Sequence, residues 1–313
     1  MSTDSMHKGE NSGEPTSDME SQRVVIVSEP TPVYIEDTDA YGVLYNANYL
    51  RAFDRALQAG VIASSTIPEN IGIKTPLLKH LDWSIVSVRQ QKFKSSPALG
   101  DQYIIVATLI ETPDVGNVEV WNLVMRSPDG STIYNTADGV VLARPGALHA
   151  ALPQQIPLRG NQEVISNTTY VTFRDEYDPH LPNSLPLRSV LNLFERGRSN
   201  FLGGPTGLRR LKDEYSLLLV VTTISDCMLL LDKTEDAFIR SLPVARAQKT
   251  VTVKTVVNSK RRGMVLECRQ TAFVNDVGIA QGVVDIMHLD ANTRRPTNRL
   301  PPFLQEIYGL KGM

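Results

Sequence analysis

From residue 23 onward the chain alternates between two patterns of apolar spacing, and it does so twice. Val24–Val27, Val33 and Ile35 read as an extended stretch broken by Pro30-Thr-Pro32. Beyond Gly42 the spacing lengthens: Tyr49, Leu50, Phe53, Ala56, Leu57, Gly60 and Val61 recur at three and four residues. That is one face of a helix opening near Asn46–Asn48. Ala63-Ser-Ser-Thr66 and Pro68 predict its end. Four extended segments rich in Val, Ile, Thr and aromatic residues follow, around Trp83–Phe93, Gln102–Glu111, Val118–Arg126 and Thr132–Leu142. Turn chemistry separates them at Ser95–Asp101, Pro113–Asn117 and Pro128–Gly130. Short connections between successive strands predict an antiparallel meander. With a single helix to cover its inner face, such a sheet is expected to curl around that helix.

The stretch Arg144–Asn167 is rich in Pro, Gly and Gln and reads as a linker. The order of patterns then repeats. Val171-Thr-Phe173 is strand-like, and Arg174-Asp-Glu-Tyr-Asp178 is an acidic turn. A helix is expected from about Pro186, with Leu187, Val190, Leu191, Phe194, Gly197, Arg198 and Phe201 on one face. Four more strands are predicted at Leu217–Leu231, Ala247–Val257, Met264–Val274 and Ile279–Leu289. Residue identities support a duplication. Phe53-Asp-Arg55 matches Phe194-Glu-Arg196 at an offset of 141, and Ala137-Asp-Gly-Val-Val141 matches Ala280-Gln-Gly-Val-Val284 at 143. The expected organisation is α+β: a tail over 1–22, one unit over 23–145, a linker over 146–167 and a second unit over 168–313.

Composition narrows the classes. A length of 313 residues, 42% apolar and 21% charged, fits a soluble globular protein of two units. The net charge of −2 offers no general attraction to nucleic acid or anionic lipid. No apolar run approaches the roughly 20 residues of a membrane span. The first 22 residues hold Lys8 as their only Lys or Arg and have no apolar core, unlike a signal or transit peptide. A disordered tail on a cytoplasmic protein is the expectation. Cys227 and Cys268 sit far apart in apolar runs, as buried free thiols would. The five histidines form no close pair, so a zinc site is not expected.

The candidate chemistry is the acidic turn Glu36-Asp-Thr-Asp39, just ahead of the first helix. Unpaired N–H groups at a helix start can polarise a carbonyl while a nearby acid attacks it or activates water. The same residues also serve as a turn and a helix cap. Spacing alone leaves both readings open.

The run Glu36-Asp-Thr-Asp-Ala-Tyr-Gly-Val-Leu-Tyr-Asn-Ala-Asn-Tyr-Leu50 resembles the opening signature of the 4-hydroxybenzoyl-CoA thioesterase family. That signature is roughly Asp-Thr-Asp-x-x-Gly-Val-Val-Tyr-His-Ala-Asn-Tyr. Lys92-Phe-Lys-Ser-Ser-Pro-Ala-Leu-Gly-Asp101 resembles the family's second hallmark, an apolar strand ending in Pro-Ala and Gly-Asp. The resemblance covers residues 24–145 and implies the hotdog fold, a long helix wrapped by an antiparallel sheet. Family members pair two units into one continuous sheet, so this chain is expected to be a double hotdog, a covalent internal pseudo-dimer. It implies a thioester hydrolase of lipid metabolism, with Asp39 as nucleophile or general base and the amide at Asn46 as oxyanion donor. Tyr41, Gly42, Val43 and Tyr45 are then the expected substrate contacts. The implied substrate is an acyl-CoA or an acyl-carrier-protein thioester, and no cofactor is expected beyond the coenzyme A of the substrate. Hotdog units often pair further, so a homo-oligomer of double hotdogs is compatible with the resemblance.

Asn46 departs from the family, which often has His there. The second half departs further. Asp175-Glu-Tyr-Asp-Pro-His-Leu-Pro-Asn183 replaces the motif, and Pro179, Pro182 and Pro186 reshape the helix entry. One working site is therefore expected, with the second unit supplying a wall. A non-catalytic acyl-CoA-binding scaffold and a hotdog hydratase or dehydratase using His180 are the alternative readings. Arg89, Lys92 and Lys94 are candidates for the phosphates of coenzyme A, and so is the hairpin tip Lys260-Arg-Arg-Gly263, which otherwise reads as solvated charge. Gly203-Gly-Pro-Thr-Gly207 lacks the rest of a phosphate loop and reads as the cap of the second helix.

Overall fold

Period-two segments zip into one antiparallel sheet, and the two period-3.6 segments become the helices that cover it. The computed structural model describes residues 24–39, 41–64, 83–112, 118–143, 166–171, 185–200, 202–230, 250–274 and 276–308. The expected tail over 1–22 and most of the expected linker lie outside the described residues. The N-terminal half contributes β1 (Val25–Val27), β2 (Thr31–Pro32), α1 (Asn48–Ser64), β3 (Ser84–Phe93), β4 (Gln102–Glu111), β5 (Val118–Arg126) and β6 (Ile133–Ala143). The C-terminal half contributes β7 (Ser166–Val171), α2 (Leu187–Asn200), α3 (Gly204–Tyr215), β8 (Leu217–Leu229), β9 (Thr250–Lys260), β10 (Val265–Val274), β11 (Val277–Asp290) and α4 (Pro302–Ile307).

Ten strands lie in line as β1-β4-β5-β6-β3-β8-β11-β10-β9-β7, with β2 added on β4. The order is mirrored about its centre. In each half the strand after the long helix is innermost, the last strand lies next to it, and the strand before the helix forms the outer edge. β3 and β8 join the halves, with Val88 opposite Cys227 and Gln91 opposite Ile224. The protein is a double hotdog whose two units share one sheet. No helix among the described residues is long and apolar enough to cross a membrane.

Both helical faces read from the spacing are the buried ones. α1 presses Tyr49, Leu50, Phe53, Ala56 and Leu57 onto the sheet, and α2 presses Leu187, Val190, Leu191 and Phe194. They meet Trp121, Leu123 and Met125 of β5 and Leu266 and Cys268 of β10 in one continuous apolar cluster. The repeated Gly282 marks a close approach. A Cβ there would lie 3.2 Å from the Phe194 ring and 3.1 Å from Cys227 Sγ, so its absence lets α2 settle on β11.

The structure departs from the expectations in several places. Ile35 belongs to a short 3-10 turn, Ile35–Asp37, and not to a strand. β7 begins at Ser166, inside the expected linker, and ends at Val171, where a strand had been expected to begin. Gly203, at φ +87°, does close the segment after α2, but Gly204-Pro205 at once opens α3. That helix was hidden because Leu208, Leu211 and Tyr215 are its only apolar residues of helical spacing, set among Gly, Pro and charged residues. The tip at Lys260 is also not simply solvated, because Lys260 Nζ pairs with Glu267 at 2.6 Å and with Asp285 at 3.1 Å.

Candidate functional site

The acidic turn is built by its own backbone. The Asp39 N–H donates to the Val43 carbonyl at 2.8 Å, and the Gly42 N–H donates back to the Asp39 carbonyl at 3.0 Å. Gly42 takes φ +75°, which the turn needs and which side chains other than glycine rarely adopt. Asp39 Oδ1 accepts the Tyr41 N–H at 2.7 Å and the Val43 N–H at 3.4 Å. These amides aim the carboxylate at a fixed point ahead of α1.

The second hallmark holds this turn in place. The Leu44 N–H donates to the Pro97 carbonyl at 2.9 Å, and the Leu99 N–H to the Gly42 carbonyl at 3.1 Å. Gly100 and Asp101 exchange backbone hydrogen bonds with Val33. The Asp101 carboxylate in turn accepts the Ala98 N–H at 2.8 Å. Two motifs separated in sequence are thus one stitched structure.

Asp37, the other acid of the turn, has a different task. Its carbonyl accepts the Tyr45 N–H at 2.9 Å and Asn48 Nδ2 at 3.0 Å, and its buried carboxylate lies 3.6 Å from Arg51. It ties the turn to the start of α1. Asn46 is half-buried in the turn before that helix, and its N–H has no hydrogen-bond partner among the described residues. Tyr45 is half-buried on the apolar cluster, Val43 bridges to Ala98, and Tyr41 is partly exposed.

The second unit completes the surroundings. Glu195 of α2 is ion-paired with Arg198, itself buried. Arg198 Nη1 donates to Gln270 Oε1 on β10 at 2.6 Å. Gln270 Nε2 donates to the Phe194 carbonyl and to Thr255 Oγ1 at 2.9 and 3.0 Å. This braced carboxylate is near enough for its charge to act on Asp39, Tyr41 and Tyr45. Burial raises the Asp39 pKa above the ordinary 3.8, the Tyr41 and Val43 amides work against this, and the Glu195 charge raises it further. Burial likewise raises the Tyr45 phenol, with Glu195 adding to it. From α3, Lys212 Nζ lies 5.4 Å from the centre of the Tyr41 ring.

The structure thus brings Asp39, Tyr41 and Tyr45 of one unit together with Glu195, Arg198 and Lys212 of the other. The three cations expected for coenzyme A sit elsewhere. Phe93 packs edge-on against Tyr49 of α1, 5.1 Å between ring centres, so alternation turns Lys92 to the opposite face of the sheet, and Lys94, just past the end of β3, is exposed. Arg89 is exposed beside Gly139. None of the three touches the Asp39 turn among the described residues. His180 lies outside those residues, as does the remainder of the second unit's acidic stretch. Sequence reasoning had placed Arg198 on the buried face of α2 but missed its network with Glu195 and Gln270. The signal was present: an arginine in an apolar helical stripe, three residues after a glutamate.

These features define a double-hotdog protein in which the charge of Glu195 in one unit acts on the Asp39 carboxyl of the other. The fold is similar to that of a Lactobacillus plantarum protein described as an oleoyl thioesterase. The TM-score is 0.54, with 11% identity over 85% of this chain and 97% of that one. It is also similar to the 12:0-ACP thioesterase from Umbellularia californica, with TM-score 0.53 and 8% identity over 87% of this chain and 94% of that one. At such identities the likeness is one of fold. No family model and no curated protein matches the sequence.

Proposed function

We propose that this protein hydrolyses acyl thioesters of coenzyme A or of an acyl carrier protein, in the manner of 4-hydroxybenzoyl-CoA thioesterases. The observation that carries the reading is the Asp39 carboxylate, half-buried and held by the Tyr41 and Val43 amides just before α1. In the general-base form of the reaction, Asp39 removes a proton from water as the water oxygen bonds to the thioester carbon. The carbonyl oxygen takes the electron pair of its π bond and is stabilised by the unpaired Asn46 N–H and the positive end of α1. Collapse of this intermediate breaks the C–S bond, and the thiolate leaves with the electron pair, to be protonated afterwards. In the nucleophilic form, Asp39 attacks directly and water cleaves the resulting anhydride. Thiolate is a good leaving group, so neither route needs a strong general acid.

Tyr41, Gly42, Val43 and Tyr45 line the approach in this reading, and Lys212 is better placed than Arg89, Lys92 or Lys94 to meet a substrate phosphate near Tyr41. The thioesterase names of the two fold neighbours support the reaction class, and the Umbellularia enzyme's name supports an acyl-carrier substrate. The test is release of free thiol from a panel of acyl-CoA and acyl-carrier-protein substrates. Cys227 and Cys268 are buried, which pushes both thiols up to about 12, so a thiol reagent reports product alone. Asp39→Asn is expected to lower thiol release by at least about 100-fold with an unchanged melting temperature. Wild-type turnover in that variant overturns the proposal.

A further inference from the structure

The two long helices line a half-open cavity of about 210 Å³. It lies between the Leu50–Gln58 stretch of α1 and the first turn of α2, with Ile85 of β3 also in its wall. Leu50, Ile85 and Leu187 make it apolar on one side. Three guanidinium groups, Arg51, Arg55 and Arg188, line the other, against a single lining carboxylate, Asp54. The existing ion pairs are long: Arg188 to Asp54 is 3.9 Å and Arg51 to Asp37 is 3.6 Å. Arg55 is exposed and makes no ion pair among the described residues.

The repeat explains why a cavity should lie here. The offset of 141 that matches Phe53-Asp-Arg55 to Phe194-Glu-Arg196 places Asp54 on Glu195 and Arg188 on Ala47. The cavity is therefore the counterpart, in the second unit, of the Asp39 site. At the Asp39 end, a carboxylate of the facing helix stands opposite another carboxylate. At this end the facing carboxylate meets a guanidinium brought in where the first unit has only a methyl group. The cavity thus gains a cation at a position where the Asp39 end has none.

We propose that this cavity binds a small organic carboxylate, its head group held by Arg188 and Arg55 and its aliphatic part laid against Leu50, Ile85 and Leu187. A guanidinium matches a carboxylate in a two-point, planar contact, and the apolar wall selects an acid with a hydrocarbon part over an inorganic anion. The volume is below the roughly 300 Å³ at which pockets for drug-sized ligands begin, so a short-chain acid fits and a coenzyme does not. That such an acid is the protein's own product rests on the thioesterase reading; the binding itself does not.

Calorimetric titration of the full chain with hexanoate tests the site, with hexanamide and inorganic phosphate as comparison ligands. Saturable one-site binding of hexanoate is expected, with each comparison ligand weaker by about tenfold or more. Arg188→Gln and Arg55→Gln should each weaken hexanoate by about tenfold, and Asp39→Asn should leave it unchanged. Arg55 is exposed, so its variant keeps the test valid even where Arg188→Gln folds poorly. Absence of saturable binding, indifference to both arginine variants, loss in Asp39→Asn, or phosphate binding as tightly as hexanoate would each overturn the assignment. Because the readout is binding, failure of the catalytic reading, seen as thiol release by Asp39→Asn, leaves this result independent.

Discussion

Arg198 on α2 and Gln270 on β10 are joined by a 2.6 Å hydrogen bond in the interior of the second unit. The bond matters for what lies on either side of it. Gln270 is fastened to the α2 backbone and to Thr255, and Arg198 passes that rigidity on to Glu195. Arg198→Met removes a buried cation and leaves Glu195 and Gln270 without their common partner. The expected cost is about 3 kcal/mol in urea unfolding, within the range for breaking a buried ion pair. A loss well below about 1 kcal/mol would show that the network braces nothing.

Glu195→Gln probes the electrostatic link across the unit boundary. The Glu195 charge makes ionisation of Asp39 harder, so its removal lowers the Asp39 pKa. An ionised Asp39 is the active form in the proposed reaction. The acidic limb of the kcat/KM profile should therefore move to lower pH in the variant, with the alkaline side unmoved. A limb that stays in place would sever the two residues functionally.

Gly282→Ala tests the close approach of α2 to β11. The added methyl group meets both Phe194 and Cys227 inside ordinary contact distance, and neither has open space into which to retreat. Overpacking of this kind costs about 1–3 kcal/mol. Chemical denaturation gives the value directly, and a neutral or stabilising result would contradict the packing described.

The hairpin tip makes stability depend on acid. Burial alone would raise the Glu267 carboxyl, but hydrogen bonds from Lys260, Arg269 and Asn258 outweigh it and hold the pKa at about 2, below the ordinary 4.5. A carboxylate lowered on folding stabilises the native state above its unfolded pKa. That contribution is lost as pH falls from about 4.5 toward 2. Glu267→Gln should lower the melting temperature at neutral pH and flatten its fall over that window. A wild-type acid profile in the variant would rule out this role.

The elements themselves were readable from local spacing. Helical faces at Tyr49–Leu57 and Leu187–Phe194, alternating strands and turn residues are all short-range properties, and so was the double arrangement once Phe53-Asp-Arg55 and Phe194-Glu-Arg196 were aligned. The turn that holds Asp39 ahead of α1 was readable from its motif. α3 was not, because its stability comes from packing against the sheet and not from its own sparse apolar spacing. Nor could spacing separate Asp37 from Asp39. Both are acids in one turn, and only the fold directs the first to Arg51 and the start of α1 while the second faces across the unit boundary. Glu195, Arg198, Gln270 and Lys212 reach the Asp39 turn, or brace what reaches it, from more than 150 residues away. The acidic turn before a helix was therefore determined by sequence, since hydrogen bonds between near neighbours build it. What surrounds it was decided by the joining of β3 to β8, because burial and charge act through space and the chain's order carries no record of which distant side chains will meet.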